Sequence, residues 1–390
     1  MVGVVGAGIV GLAHAWLAAE RGHRVIVFER TPLAQGASVR NFGMVWPIGQ
    51  PTREWHQVAL RSRARWLRLA DDAQIRVNPC GAIHLAHRLD EWVVLEEFAA
   101  RAADLGAECE LLTADQVLRR TPAANPAGLL GGLYTPTELA VNPPVTVRTI
   151  ARWLAERYTV QFRFDTVVTR VTVDPTPVLE TASGERYPFA RIVVCSGADT
   201  QTLFPSEYAT AGLRACKLQM LKTGPQPGGW RIGPHLAGGL TLRHYANFEI
   251  CPSLPRLRAR IASEAPELDR YGIHVMASQP DSGEVILGDS HEYEPGIEPF
   301  DQSIIDDLIL RELRKIITLP DWGIVSRWHG IYVKRANSAA WEAEPLPNVY
   351  LFSGMGGSGM TMAFGLAERA WARWPSLGGN DGNAIPSRHS

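Results

Sequence analysis

The stretch Val2-Gly3-Val4-Val5-Gly6-Ala7-Gly8-Ile9-Val10-Gly11 decides how the chain folds at its amino end, and Val25-Ile26-Val27-Phe28-Glu29 completes the reading. An apolar run feeds a glycine-rich turn, after which apolar and small residues, Ala15 and Ala19 among them, continue at helical spacing. Gly6 permits the tight turn out of the strand, Gly8 lets backbone approach a pyrophosphate, and Gly11 lets the following helix pack close. The helix start, with Ala7, Ile9 and Val10, then turns its unpaired N–H groups toward the phosphates. Glu29 stands near the roughly 20-residue offset at which an acid accepts both hydroxyls of an adenosine ribose. A carboxylate there repels a 2′-phosphate, so NADP is disfavoured while FAD and NAD remain.

The chain has 390 residues, more than one core usually spans, so two joined domains are expected. Lys plus Arg number 39 against 40 for Asp plus Glu, which gives no electrostatic case for nucleic acid or an acidic membrane surface. The partner is expected to be a small molecule. Cys80, Cys109, Cys195, Cys216 and Cys251 form no CxxC pair and read as reduced thiols of a cytoplasmic protein. No Lys or Arg precedes Arg21, so the first apolar run is not read as an export signal. No stretch approaches the roughly 20 apolar residues of a membrane span. The histidines show no HExxH or paired spacing, so no metal site is expected.

Amphipathic spacing predicts helices from Arg53 to about Ala73, from Asp90 to Leu105 and from Val145 to Tyr158, with a strand at Ala82 to Ala86 between the first two. A β-rich run from Val160 to Val173 and a hairpin around Ala182-Ser183-Gly184 lead to the buried strand Arg191 to Cys195 and the turn Ser196-Gly197-Ala198. Residues from about Leu213 to Ile324 alternate short β patterns with Pro and Gly breaks around one helix, Ser303 to Ile317, and read as an antiparallel sheet. A last strand, Val349 to Ser353, meets the loop Gly354-Met355-Gly356-Gly357-Ser358-Gly359, which opens a helix from Met360 to Trp371. That second strand-to-helix turn aims another set of unpaired N–H groups and the positive end of a helix at one place, which suits an anionic reduced flavin.

Together, GAGIVG with Glu29, the loop Ser38-Val39-Arg40-Asn41, Cys195-Ser196-Gly197-Ala198 and the terminal SGMGGSGMT resemble the D-amino-acid oxidase, glycine oxidase and sarcosine oxidase superfamily from Val2 to about Trp371. Five segments further resemble a subgroup of FAD oxidoreductases associated with bacterial phosphonate breakdown: Gly36 to Pro51, Cys216 to Thr223, Gly239 to Tyr245, Gly272 to Gln279 and Gly288 to Tyr293. The resemblance implies an α/β fold in which a Rossmann-type, glutathione-reductase-like FAD domain (residues 1–80, 140–212 and 325–375) is interrupted by an α+β substrate domain (81–139 and 213–324) with a mostly antiparallel sheet, ahead of a flexible tail at 376–390. It implies FAD contacts from Gly6 to Gly11, Glu29, Arg30, Ser38, Arg40, Asn41, Phe42, Gly43, Met44, Val167, Val168, Ser196, Gly197, Gly330, Gly354, Gly356, Gly357, Ser358, Gly359, Met360 and Thr361. No cysteine lies near the Trp328 to Val333 segment or the final loop, so the FAD is expected to be non-covalent.

The activity implied is hydride transfer from an amine-bearing carbon to the flavin, hydrolysis of the resulting imine, and reoxidation by molecular oxygen to give hydrogen peroxide. In amino-acid oxidases of the superfamily the stretch resembling Trp328 to Val333 carries an arginine that clamps the substrate carboxylate, and here Tyr332 stands in that place. One phenol cannot replace a bidentate guanidinium fork. A phosphonate offers three oxygens and calls for several donors, for which Arg243 leads the candidates, with His244, Tyr245, His274 and Lys217 beside it and Gln219 nearby. His291 and Tyr293 rank lower, because Glu292 and Glu294 suggest an exposed loop. The substrate expected is therefore a small, anionic amine such as 2-aminoethylphosphonate or an N-methyl or hydroxy derivative. The alternatives are a glycine- or sarcosine-type oxidase, a dehydrogenase with another acceptor, and an RNA-modifying or non-catalytic flavoprotein. Gly288-Asp289-Ser290-His291 is also similar to the GDxxH of aromatic-ring hydroxylases, but no long terminal helical region follows it.

Overall fold

The computed structural model describes residues 1–336 and 338–377, and from 378 onward the expected tail lies outside the described residues. The chain separates into two compact units. One comprises Met1–Val39, Pro144–Leu213 and the segment from Val333, and the other comprises Arg40–Pro143 and Arg214–Tyr332.

The first unit is built on a six-stranded sheet in the order Trp341–Leu346, Val349–Ser353, Arg191–Val194, Val2–Val5, Val25–Phe28, Gln161–Arg163. All neighbours run parallel except Trp341–Leu346. Central parallel strands are covered on both faces, which is why these runs read as unbroken Val, Ile and Phe instead of alternating. One face carries helix Ile9–Glu20 packed against helix Gly359–Arg373. The other carries a meander, Val168–Val173, Pro177–Thr181 and Arg186–Pro188, whose Val168, Val171 and Leu179 join Phe28, Ile192 and Leu351 in one core.

Arg191, on the sheet's inner strand, is 1% exposed although it carries a full charge. Its guanidinium lies 5.4 Å from the Tyr350 ring centre and 5.0 Å from those of Trp371 and Trp374, and it donates to the Pro375 carbonyl at 2.7 Å. Aromatic faces and a carbonyl replace water around it.

The second unit is a nine-stranded, mostly antiparallel sheet with helices. Its order runs Glu292–Tyr293, Leu213–Pro225, Glu284–Gly288, Met276–Ser278, His235–Ala237, Ala82–Ala86, Gly131–Thr135, Glu110–Thr113, while Ile324–Arg335 also pairs with Leu213–Pro225. A parallel pair, His235–Ala237 with Ala82–Ala86, joins its two halves. Their shared core includes Ile83, Leu85, Leu236, Met276, Leu287 and Ile309.

Two expectations need correction. Residues 40–80, 140–143 and 325–332 belong to the second unit, not to the nucleotide-binding one. Helix Arg53–Asp72 packs on the turn Pro47–Gly49 and on helix Leu89–Leu105, and Gly43 and Asn78 bond to Val141 and Ala140. An amphipathic pattern shows that a helix buries one face but not against which core. The stretch read as β pattern also holds helices Leu254–Glu264 and Pro266–Arg270, whose Pro residues sit in the first turn, where a missing N–H costs nothing. Among the described residues no helix is long and apolar enough to cross a membrane.

Candidate functional site

In the first unit, register aligns the carboxyl ends of the three inner strands: Val5 pairs with Val194, and Val194 with Leu351. The strand order turns back at Val2–Val5, with Val25–Phe28 on one side and Arg191–Val194 on the other, and such a switch point leaves a crevice at the strand ends. Gly6, with φ 98°, makes the turn there and donates to the Phe28 carbonyl at 2.7 Å. A Cβ on Gly6 would lie 2.3 Å from the Cys195 carbonyl oxygen, and one on Gly11 only 1.8 Å from the Gly6 carbonyl oxygen. Ala7 donates to Glu29 at 2.9 Å and Ile9 to the Ser38 hydroxyl at 2.9 Å. Thr31 holds the second Glu29 oxygen through its N–H at 3.1 Å and its hydroxyl at 2.7 Å. The carboxylate is thus fixed beside the first turn of the helix, the pose that ribose recognition needs. This glycine cradle, closed to side chains by backbone on two sides, fits a dinucleotide.

The other glycine loop ends at the same edge. Gly354 (φ 76°) and Gly356 (φ 56°) turn the chain, Ser358 caps helix Gly359–Arg373 without a side-chain bond, and Met360 and Thr361 are buried in its first turn. A Cβ on Gly359 would stand 3.7 Å from Ile9, so the two helix starts converge. The Gly197 carbonyl accepts from the Ser353 hydroxyl at 3.4 Å, and space beside Gly197 is open. Ser196 lies next to it, near the Tyr208 phenol. Gly357 lies in the short turn between the last strand and its helix. Arg30 pairs with Asp199. The Val167 carbonyl accepts from Ala182 at 2.8 Å, and Val168 is buried in the meander.

Arg40 to Met44 and Gly330 lie in the second unit, against one another. Arg40 donates to the His329 carbonyl at 3.3 Å and accepts from the Trp328 indole at 3.3 Å, and Gly330 fits only because a Cβ there would already sit 3.3 Å from the Arg40 carbonyl. Asn41 accepts from the Gly43 N–H at 2.8 Å, which holds Gly43 at φ 73°. Met44 pairs with Ala140, and a Cβ on Gly288 would lie 3.1 Å from Phe42.

The same unit gathers a polar cluster that sequence spacing misses. His274 and Asp289 exchange both backbone hydrogen bonds, at 3.2 and 2.9 Å, and His274 Nε2 lies 3.0 Å from Asp289 Oδ1. The His244 ring stacks on His274 at 3.9 Å and meets His291 at 4.3 Å. His291 bonds the Gly272 carbonyl through Nδ1 at 3.3 Å. Tyr245 lies edge-on to His244 at 5.1 Å, while Tyr293 and Tyr332 flank His291 at 6.3 and 6.5 Å. Complete burial pushes the Asp289 carboxyl well above the usual carboxylate range, and burial with Cys216, Tyr293 and Asp289 nearby pushes the Tyr332 phenol up, so Tyr332 stays a neutral hydroxyl. Elsewhere in the unit His84 and His235 are core imidazoles, lowered to about 3 and about 4 by burial.

His244, Tyr245, His274 and Tyr332 therefore come together, and Arg243 and Lys217 do not join them. Arg243 pairs with Asp269 and donates to the Leu268 and Ile273 carbonyls at 3.4 and 2.9 Å. Lys217, 1% exposed, pairs with Asp301 at 3.0 Å and donates to the Glu298 and Phe300 carbonyls at 3.0 and 2.5 Å. Arg243, His244 and Tyr245 follow the short helix Gly239–Leu242, not a strand, so alternation does not decide which of them face the cluster. His291 is 7% exposed and Glu292 8%, because Glu292–Tyr293 pairs with Cys216 and Lys217 instead of forming an open loop. The same pairing brings Cys216, distant in sequence, beside Tyr332, where its thiol is buried.

Residues 1–373 match the model of the DAO family, described as FAD dependent oxidoreductase. The chain belongs to this family. A subunit of opine oxidase from Rhizobium meliloti is 24% identical over 380 residues, covering 92% of this chain and 89% of the relative. Glycine oxidase of Geobacillus kaustophilus is 27% identical over 205 residues, 50% of this chain and 54% of that enzyme. The crystal structure of glycine oxidase from Bacillus cereus superposes with a TM-score of 0.75 at 17% identity, covering 95% of each chain. DAO membership makes the protein an FAD-dependent oxidoreductase and resolves the choice between FAD and NAD that Glu29 left open.

Proposed function

We propose that this DAO-family chain oxidises a small amine bearing a phosphonate group, removing the amine or an N-alkyl substituent. One observation carries the reading. Four of the five segments that resemble the phosphonate-associated subgroup, Cys216 to Thr223, Gly239 to Tyr245, Gly272 to Gln279 and Gly288 to Tyr293, supply Cys216, His244, Tyr245, His274, Asp289, His291 and Tyr293 to the one polar cluster beside Tyr332. A planar carboxylate is best met by one guanidinium fork. A tetrahedral group with three oxygens is better met by separate donors from several segments, and that is what imidazoles and phenols on three loops provide.

FAD, when bound, supplies the hydride acceptor. We assign its pyrophosphate to the N–H groups at the start of helix Ile9–Glu20, its adenosine ribose to Glu29, and further contacts to Ser38, Arg40 to Met44, Ser196, Gly197, Gly330 and the loop from Gly354 to Thr361. The helix start at Gly359 adds a second positive end for negative charge. The residues of the second unit orient the amine and exclude water. Positioning is their main contribution, since a neutral amine held in a near-attack pose needs little acid or base. Cys216 is buried beside Tyr332, so the expectation of non-covalent FAD no longer rests on the absence of a thiol there, and denaturation tests it. Flavin should accordingly pass into solution on denaturation.

Glu29→Ala should weaken FAD binding at least about 100-fold, because two charge-assisted bonds to the ribose are lost at roughly 1.5–3 kcal/mol each. Titration of the stripped protein with FAD reads this, and unchanged affinity would remove Glu29 from the ribose site. Substrate is identified by anaerobic loss of flavin absorbance against a panel. 2-Aminoethylphosphonate or its N-methyl or hydroxy derivative should bleach the flavin at the lowest concentration. Bleaching by glycine or sarcosine but by no aminophosphonate would replace this reading with an amino-acid oxidase of the kind named among the relatives. Peroxide formed during aerobic turnover marks an oxidase, and its absence a dehydrogenase.

A further inference from the structure

We propose that His244, His274 and His291 form a binding site for one divalent transition metal of the zinc class, and that the metal receives the anionic end of the substrate. The second clause rests on the substrate reading above; the first does not. One ring nitrogen from each histidine lies within 4.8 Å of the other two, and metal–nitrogen bonds of about 2.0–2.1 Å would draw them together by turning the stacked rings until their in-plane lone pairs converge. The three come from separate segments, and each is fixed by backbone: His244 N–H to the Thr241 carbonyl at 3.1 Å, His274 to Asp289 at 3.2 Å, and His291 to the Tyr271 carbonyl at 2.9 Å.

The outer contacts are those a metal-binding imidazole needs. Ligating histidines turn their far nitrogen to a carboxylate or a backbone carbonyl, which fixes tautomer and ring orientation. His274 Nε2 lies 3.0 Å from Asp289 Oδ1, within ion-pair distance but not in hydrogen-bond geometry, so a modest ring turn is needed to complete that contact, and His291 Nδ1 bonds the Gly272 carbonyl at 3.3 Å, leaving Nε2. Asp289 is 5% exposed, and among the described residues its ion pairs are with His274 and His291 alone. Three imidazoles with no thiolate favour zinc-like ions over calcium or magnesium. Three protein ligands also leave a fourth position, which a phosphonate oxygen fills, and in this metal-bound form the flanking phenols, not the imidazoles, donate directly to the other oxygens. Sequence spacing cannot show such a site, because the ligands lie 274 − 244 = 30 and 291 − 274 = 17 residues apart and meet only in the folded unit.

Holoprotein stripped with a chelator and titrated with Co²⁺ alone tests the site. We expect one equivalent bound per chain, with visible bands of a low-coordinate ion in the difference spectrum against the flavin. His274→Ala and His291→Ala should lose this uptake while flavin absorbance, a report of intact fold, is retained, and Asp289→Asn should bind about 10- to 100-fold more weakly. No uptake by the wild-type holoprotein overturns the site whatever the variants do, as does undiminished uptake by both alanine variants. If stripped protein is bleached by an aminophosphonate as readily as loaded protein, the metal's role toward substrate is refuted and the substrate reading stands. If metal binds in stoichiometric amount and no aminophosphonate bleaches the flavin, the site stands and the substrate reading falls.

Discussion

Gly11→Ala is expected to yield protein that carries no FAD. The added methyl carbon would be placed 1.8 Å from the Gly6 carbonyl oxygen and 3.0 Å from its carbon, and both are backbone atoms of the phosphate turn. Neither can rotate away, so the helix must lift from the strand or the turn must open. Either movement displaces the N–H groups that would meet the pyrophosphate. Overpacking of this kind costs about 1–3 kcal/mol even where side chains can adjust. We expect flavin content near zero after purification and affinity reduced at least about 100-fold, equivalent to roughly 2.8 kcal/mol. Gly36→Ala is the matched control, since nothing lies within 4 Å of a Cβ there. Stoichiometric flavin in Gly11→Ala would show that the turn does not bind the pyrophosphate.

Arg191→Ala should be the most damaging change away from the proposed sites. The side chain fills a space walled by Tyr350, Trp371 and Trp374, and it ties the Pro375 carbonyl to the sheet. Truncation leaves a cavity among aromatic rings and an unbonded carbonyl, together about 3–5 kcal/mol. Arg191→Lys keeps the charge but loses the flat face that stacks, and should cost about half as much. Denaturant unfolding of the holoprotein measures both. A loss below about 1 kcal/mol for the alanine variant would mean that the aromatic cage collapses to fill the space.

Much of the first unit was legible because its determinants are local. Gly6, Gly8, Gly11 and Glu29 each have a backbone reason to stand where they do, and Val2–Val5 lies directly beside Val25–Phe28. The family match confirms the FAD dependence those residues suggested. The substrate side was read less well for a physical reason. Charge type was legible but pairing was not: nothing near Arg243 in sequence shows that Asp269 will take its guanidinium, and nothing near Lys217 shows Asp301. His291 was ranked low on the acidity of its neighbours, yet strand pairing with Cys216 and Lys217 buries it. The helix Arg53–Asp72 was found in place and assigned to the wrong core, since periodicity gives one apolar face and no address for it.

The order of the parallel sheet also governs how the molecule can be made. Val2–Val5 leaves the ribosome before its partners: its neighbour Arg191–Val194 begins 191 − 5 = 186 residues later, and the next strand out, Val349–Ser353, 349 − 5 = 344 residues later. At roughly 5–20 residues per second, the nascent phosphate turn spends on the order of half a minute with one flank of its strand open. Translation stalled before residue 349 leaves a polypeptide that holds the nucleotide fingerprint but lacks the scaffold to use it, exposing apolar hydrogen-bonding edge to chaperones and to other unfinished chains.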